Sequence, residues 1–202
     1  MIKIGITGGV GCGKSSVLAY LREHTWCRIV LADEVGHLVK EKGTQCYDQL
    51  VKLLGKDILM EDGVIDRTKM AALVFAHDHL LKQVNGIIHP AVKTYIRQEM
   101  AREEAAGEVE VFFLEAALLI EAGYLPWLDE LWYVYSEETV RKQRLKQGRN
   151  YTEEKCEQIM AKQLADKEFR RYAQVVIDNS ADFEETKVLL AQEAKRLRIW
   201  KE

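Results

Sequence analysis

The run Ile6-Thr7-Gly8-Gly9-Val10-Gly11-Cys12-Gly13-Lys14-Ser15-Ser16-Val17 fits G-x-x-x-x-G-K-[ST], with Gly8, Gly13, Lys14 and Ser15 at the fixed places. Glycines at this spacing let successive N–H groups between Gly9 and Ser16 turn toward phosphate oxygens. A helix following the loop adds its positive end. Lys14 would reach the β- and γ-phosphates of a nucleoside triphosphate, and the Ser15 hydroxyl would ligate its Mg²⁺. Small-molecule kinases, GTPase switches and motor ATPases can all open in this way. The destination of the phosphate therefore rests on other residues.

Asp33 follows the apolar run Cys27-Arg28-Ile29-Val30-Leu31. It has the chemistry of a base for an attacking hydroxyl, and equally that of an N-cap for a helix over 34–40. Glu115 closes the apolar run 109–114 within FFLEAALLIEAG, with Leu118 and Glu121 close behind. A carboxylate there can hold Mg²⁺ or its water shell, or cap a strand-to-helix turn. Arg141 and Arg144 share one helical face and Arg149 lies past Gly148. Such cations can neutralise charge on a transferring phosphoryl group, although a solvated basic helix competes for each one. Cys12 usually need only be small at such a place, although a helix N-terminus beside Lys14 can also lower a thiol pKa, with alkylation then blocked by nucleotide. His89-Pro90 reads as the start of a long helix. Asn179, in VIDNS, either borders a nucleotide base or forms an Asx turn.

The elements that must position these residues alternate. Short β-branched or aromatic runs at 2–6, 27–31, 109–114, 131–135 and 175–177 predict strands. Helical spacing occupies 14–21, 34–40, 45–54, 68–76, 90–106, 137–147, 152–164 and 183–197. That order predicts an α/β fold with a parallel sheet flanked by helices. No strand pattern lies between Asp33 and Val109, so a helical insertion is expected over about 35–90. A second insertion is expected at 141–171, where ten Lys or Arg face five Asp or Glu, a local +5 in a chain of net charge −3. The core would then comprise about 1–34, 91–140 and 172–202.

With 202 residues, the chain can bury one sizeable core. Its small net charge gives no pull toward nucleic acid. Apolar runs are too short for a membrane span, and MIKIGITGG does not read as a secretory signal, so a cytoplasmic protein is expected. Cys12, Cys27, Cys46 and Cys156 are scattered without a C-x-x-C pair, which suggests neither zinc nor a disulfide framework. A monomer is favoured.

Taken in order, ITGGVGCGKSSV, LADEV, DGVIDR, VF at 74–75, IIHPAV, ALLIEAG, RNYT, MAKQ and VVIDNS resemble the bacterial dephospho-CoA kinases over nearly the whole chain. The resemblance implies a P-loop α/β core, a helical CoA domain and a lid, with ATP and Mg²⁺ as co-substrate and cofactor. It implies transfer of the γ-phosphoryl group to the ribose 3′-hydroxyl of dephospho-CoA. Asp33 would be the base, and Arg67, His89, Leu118 and Glu121 would lie on the acceptor side. Arg144 and Arg149 would belong to the lid, and Asn179 would lie beside the adenine. Four positions depart from the family pattern: Leu31 stands where Asp is common, Ala117 where Pro is, Glu115 where many members have Asp, and Gln174 where Asp often precedes the last strand. Another P-loop kinase of small metabolites, such as a nucleoside monophosphate kinase, is the second reading. A GTPase switch is disfavoured, because the chain has no N-K-x-D motif.

Overall fold

A computed structural model describes residues 1–201. The strands are β1 (Ile2–Thr7), β2 (Cys27–Leu31), β3 (Val111–Glu115), β4 (Glu130–Tyr135) and β5 (Val175–Asp178). The helices are α1 (Lys14–His24), α2 (Ala32–Leu38), α3 (Gln45–Leu54), α4 (Arg67–Phe75), α5 (Asp78–Ala106), α6 (Glu138–Arg149), α7 (Glu153–Met160), α8 (Asp166–Tyr172) and α9 (Phe183–Arg196). The chain divides into two compact units: residues Met1–Val30 with those from Glu103 onward, and Leu31–Arg102.

In the first unit the sheet order is β2-β3-β1-β4-β5. Its central strands are apolar along their length because both faces are covered. Ile4, Ile6, Phe112, Phe113 and Trp132 are fully buried, and the Phe113 and Trp132 rings meet edge to face at 6.1 Å. Parallel register sets Ile6 opposite both Glu115 and Trp132, Thr7 opposite Tyr133, and Tyr135 opposite Asp178. The carboxyl ends of four strands are thereby level. The residues that follow them (Gly8, Ala116, Ser136 and Asn179) emerge along one edge. Chain order reverses around β1, which makes this edge a switch point, where open α/β sheets bind ligands.

The second unit is helical between Leu31 and Arg102, and its only strand-like pairing among the described residues, beyond the last residue of β2, is the bridge Leu59–Ile65. Thr44 caps α3 by accepting from the Tyr47 N–H, and Asp66 caps α4 by accepting from Thr68 and Lys69. Pro90 does not begin a helix as the His-Pro pair suggests. It lies inside the 29-residue α5. Apolar residues recurring every fourth position, with Val84, Val92, Ile96 and Met100 buried, keep the helix continuous through the proline.

The helix expected over 152–164 is shorter, ending at Met160, and a further helix that the sequence pattern did not predict follows it. Thr152 caps α7, which closes in tight turns at Ala161, Lys162 and Gln163 before α8 begins. Lys142 of α6 meets Glu138, Glu153 and Glu157 at 3.0, 2.9 and 3.2 Å, clipping α6 to α7. The α8 helix returns to the sheet through Phe169, stacked 4.7 Å from Tyr133.

Truncating Phe113 to alanine removes a fully buried ring from beneath the level strand ends. A loss of about 3–5 kcal/mol is expected for the first unit, read as a lowered urea midpoint.

Candidate active site

β1 stops at Thr7, whose hydroxyl donates to the Ala116 carbonyl at 3.2 Å. The loop then turns at Gly8, Gly11 and Gly13, with φ of 149°, 80° and 92°. Gly13 is needed for space as well as for conformation, since a Cβ there would run into the Asn179 side-chain amide. Lys14 begins α1 with no side-chain cap and no acidic residue in the first turn. No side chain competes with an anion at the start of that turn, where Ser15 and Ser16 stand exposed, although the Ser16 N–H already donates to the Gly13 carbonyl at 3.1 Å.

Lys14 donates from Nζ to the Gly8 carbonyl at 2.8 Å and lies 3.5 Å from Glu115 Oε1. Glu115 is therefore tied to the loop lysine at the end of β3. Ser15 and Glu115 offer a hydroxyl and a carboxylate, the hard oxygen donors that suit Mg²⁺ when substrate phosphates complete its shell. No cluster of three or more His, Cys, Asp or Glu able to hold a metal occurs among the described residues, so those phosphates would have to supply the rest.

The underside of the loop is bonded to α6 and to the residues that follow β4 and β5. The Cys12 carbonyl accepts from Asn179 Nδ2 at 2.8 Å and lies 3.1 Å from the Ser136 hydroxyl and 3.5 Å from Arg144 Nη1. Ser136 has one hydrogen, and its shorter contact is to the Asn179 carbonyl at 2.7 Å, while its oxygen accepts from Arg144 at 3.1 Å. Asn179 is 2% exposed, and its Oδ1 accepts from the Thr186 hydroxyl at 3.0 Å. Both ends of its amide are thus engaged on protein, one of them on the loop backbone. Arg141 donates through Nε to the Val10 carbonyl at 2.8 Å and through Nη2 to Gln163 at 2.8 Å.

The expected loop residues Gly9, Val10, Gly11, Cys12, Gly13, Lys14, Ser15 and Ser16 are thus gathered with Glu115, Arg144 and Asn179. Arg149 ends α6, exposed, and does not bond to the loop among the described residues; Arg141 reaches it instead. Leu118 and Glu121 are exposed in the turns that follow β3. Composition and periodicity give no reason to single out Ser136 or Gln163. The position of Ser136 one residue beyond β4 is the available signal for the first, and its place in the MAKQ stretch for the second.

In the second unit, Asp33 lies in the first turn of α2, two residues beyond the end of β2. It is not the N-cap: Leu31 holds that position and no side chain caps the helix. The exposed carboxylate is thus not spent on capping. Arg67 opens α4 beside its Asp66 cap and lines a cleft of about 470 Å³ together with His37, Lys40, Met70, Val74 and Phe75. Burial, then the charge of Arg67, lowers the Lys40 pKa. Burial, Arg67 and Lys40 in that order lower His37. His89, in the middle of α5, is exposed and is not among the residues lining the cleft.

Cys12 fits the reading of a small buried residue and not that of a lowered thiol. It is 1% exposed, and burial pushes its thiol up by more than Lys14 and Arg141 pull it down. The pull of a helix N-terminus does not offset the loss of water. Iodoacetamide should therefore label Cys12 slowly at pH 7.5, with or without ATP, as read by mass spectrometry of the loop peptide.

Comparison with known proteins bears on the family and the fold. Dephospho-CoA kinases of Streptococcus agalactiae and Streptococcus mutans are 34% and 36% identical to the chain, each over 96% of it and over 98% and 97% of their own lengths. Among solved structures, TT1252 from Thermus thermophilus superposes with a TM-score of 0.77 at 28% identity, covering 96% of this chain and 97% of that one. A dephospho-CoA kinase from Campylobacter jejuni gives 0.74 at 18% identity, covering 96% of each, and supports the fold alone. The dephospho-CoA kinase family model matches residues 2–185, and with relatives this similar over nearly their full length the chain belongs to that family.

Proposed function

We propose that this chain is a dephospho-CoA kinase, transferring the γ-phosphoryl group of ATP to the ribose 3′-hydroxyl of dephospho-CoA to give coenzyme A and ADP. The observation that carries the reading is the uncapped phosphate loop of a family member, with Lys14 inside it and Arg141 and Arg144 on its underside. No described helix is long and apolar enough to cross a membrane.

Phosphoryl transfer asks for alignment and charge neutralisation more than for covalent chemistry by the protein. The loop amides and Lys14 would take the β- and γ-phosphates. Arg144, bonded to Ser136 and 3.5 Å from the Cys12 carbonyl of the loop, supplies a further cation for charge on the equatorial oxygens. Mg²⁺ would be held by Ser15 and Glu115 and would neutralise charge between the β- and γ-oxygens. Asp33 would accept the 3′-hydroxyl proton. Its freedom from capping and its place just past β2, where the chain leaves the sheet, support that role.

The cleft in the second unit fits the acceptor. Its apolar wall suits the pantetheine arm, and Phe75, 80% exposed, is a large ring that a ligand could cover. Lys40 and Arg67 set mutually repelling cations at the cleft, where a pyrophosphate would relieve them, and His37 beside them is held toward its neutral form. Two of the departures from the family pattern have structural places of their own. Gln174 accepts from the Leu131 N–H at 2.7 Å, a bond an aspartate could also make, and Leu31 serves as the backbone N-cap of α2.

A coupled ADP-release assay with dephospho-CoA, AMP, CMP and adenosine tests the whole reading. Turnover with dephospho-CoA is expected, and turnover with AMP alone would overturn it in favour of a nucleotide kinase. Asp33→Asn should lower kcat by roughly two to four orders of magnitude, the worth of a positioned base, with the Kd for ATP unchanged; near-normal kcat would remove Asp33 from the chemistry. Arg67→Ala should raise the KM for dephospho-CoA about tenfold, the worth of one charge-assisted bond, and leave that for ATP alone.

A further inference from the structure

Gly9, Val10 and Gly11 face the lid in an unusual way. Gln163 Oε1 accepts from the Val10 N–H at 3.1 Å and from Arg141 Nη2 at 2.8 Å, while Arg141 Nε donates to the Val10 carbonyl at 2.8 Å. Both polar groups of one loop residue are thus held by two side chains that also hold each other. Both partners of Gln163 are donors, so the network itself settles which end of the amide faces them. The flanking glycines are shaped to this contact. A Cβ at Gly9 would strike the Arg141 guanidinium, and one at Gly11 would lie 3.0 Å from the Arg141 carbonyl and 3.1 Å from Leu145.

We propose that Gln163 is a positioning residue for ATP binding, a latch that fixes the apex of the phosphate loop through Val10 and Arg141. Fixing both sides of Val10 fixes the peptide planes before and after it, the second of which carries the Gly11 N–H. The loop therefore meets the phosphates already shaped, without the ordering cost a free loop would carry. Because Gln163 sits in the turns that close α7, the same bonds tie loop order to the lid hairpin.

The latch rests on the kinase reading only through ATP. In Gln163→Met, which keeps length and apolar bulk but loses the acceptor, the Kd for ATP by calorimetry should rise about tenfold. Exchange of the Val10 amide, followed by ¹⁵N-resolved hydrogen exchange, should quicken by a similar factor, as befits one lost bond to an amide and one to a charged group. The KM for dephospho-CoA and the melting temperature should hold. Gln163→Glu, which restores an acceptor oxygen, should restore protection of the Val10 amide. A wild-type Kd in Gln163→Met, or a Val10 amide equally exposed in both variants, would overturn the latch. Wild-type protein that binds ATP but does not phosphorylate dephospho-CoA would instead overturn the kinase reading and leave the latch standing.

Discussion

A phosphate loop has to turn its N–H groups toward the ligand, so its carbonyls face the protein and must find donors there. That constraint organises the whole first unit. The Gly8 carbonyl takes the Lys14 ammonium, the Val10 carbonyl takes Arg141, and the Cys12 carbonyl takes Asn179 with Ser136 and Arg144 beside it. Each donor arrives from a different element. Ser136 and Asn179 come from the ends of β4 and β5, which the parallel register brings level with β1. The arginines come from α6, three residues apart on one face.

The same constraint accounts for the residues the loop tolerates. Cys12 must be small, because its side chain is buried and a Cβ at Gly8 would already crowd its sulfur. Gly9 must lack a side chain for the Arg141 guanidinium to lie against the loop, and Gly13 for Asn179 to reach beneath it. Glycine here serves close approach as much as positive φ. The buried thiol is one consequence. It occupies the place where a helix N-terminus and a lysine would otherwise favour a thiolate, and burial outweighs them both.

Local signals made much of this legible. The glycine spacing located the loop and the apolar runs located all five strands, because parallel strands buried on both faces read as continuous apolar segments. The interval without strands corresponds to helices, and the basic segment to α6, α7 and α8. Long-range bonds were not legible. Pro90 looked like a helix start because local chemistry favours it there, yet the fourfold apolar spacing through α5 prevails. Arg149 looked as apt as Arg141, since only packing against Gly9 and Gly11 separates the two. Gln163 is 153 residues from Val10, and Asn179 is 167 from Cys12. No periodicity reports contacts of that span.

Preorganisation follows from where the cations stand. Arg141 and Arg144 are held on the underside of the loop by backbone oxygens and a serine hydroxyl, while Lys14 bridges a carbonyl and a carboxylate. None of these is a fully buried ion pair, so an arriving triphosphate competes with one or two neutral acceptors for each charge rather than with a strong, desolvated partner. Lys14 differs, for Glu115 stands 3.5 Å from it. A carboxylate that near offsets part of the positive potential until a cation occupies it. In a site that receives a triphosphate, that pairing favours a nucleotide whose charge a cation already offsets over the bare anion. The loop, its donors and its one nearby carboxylate thereby select the ligand as a charge-neutralised whole.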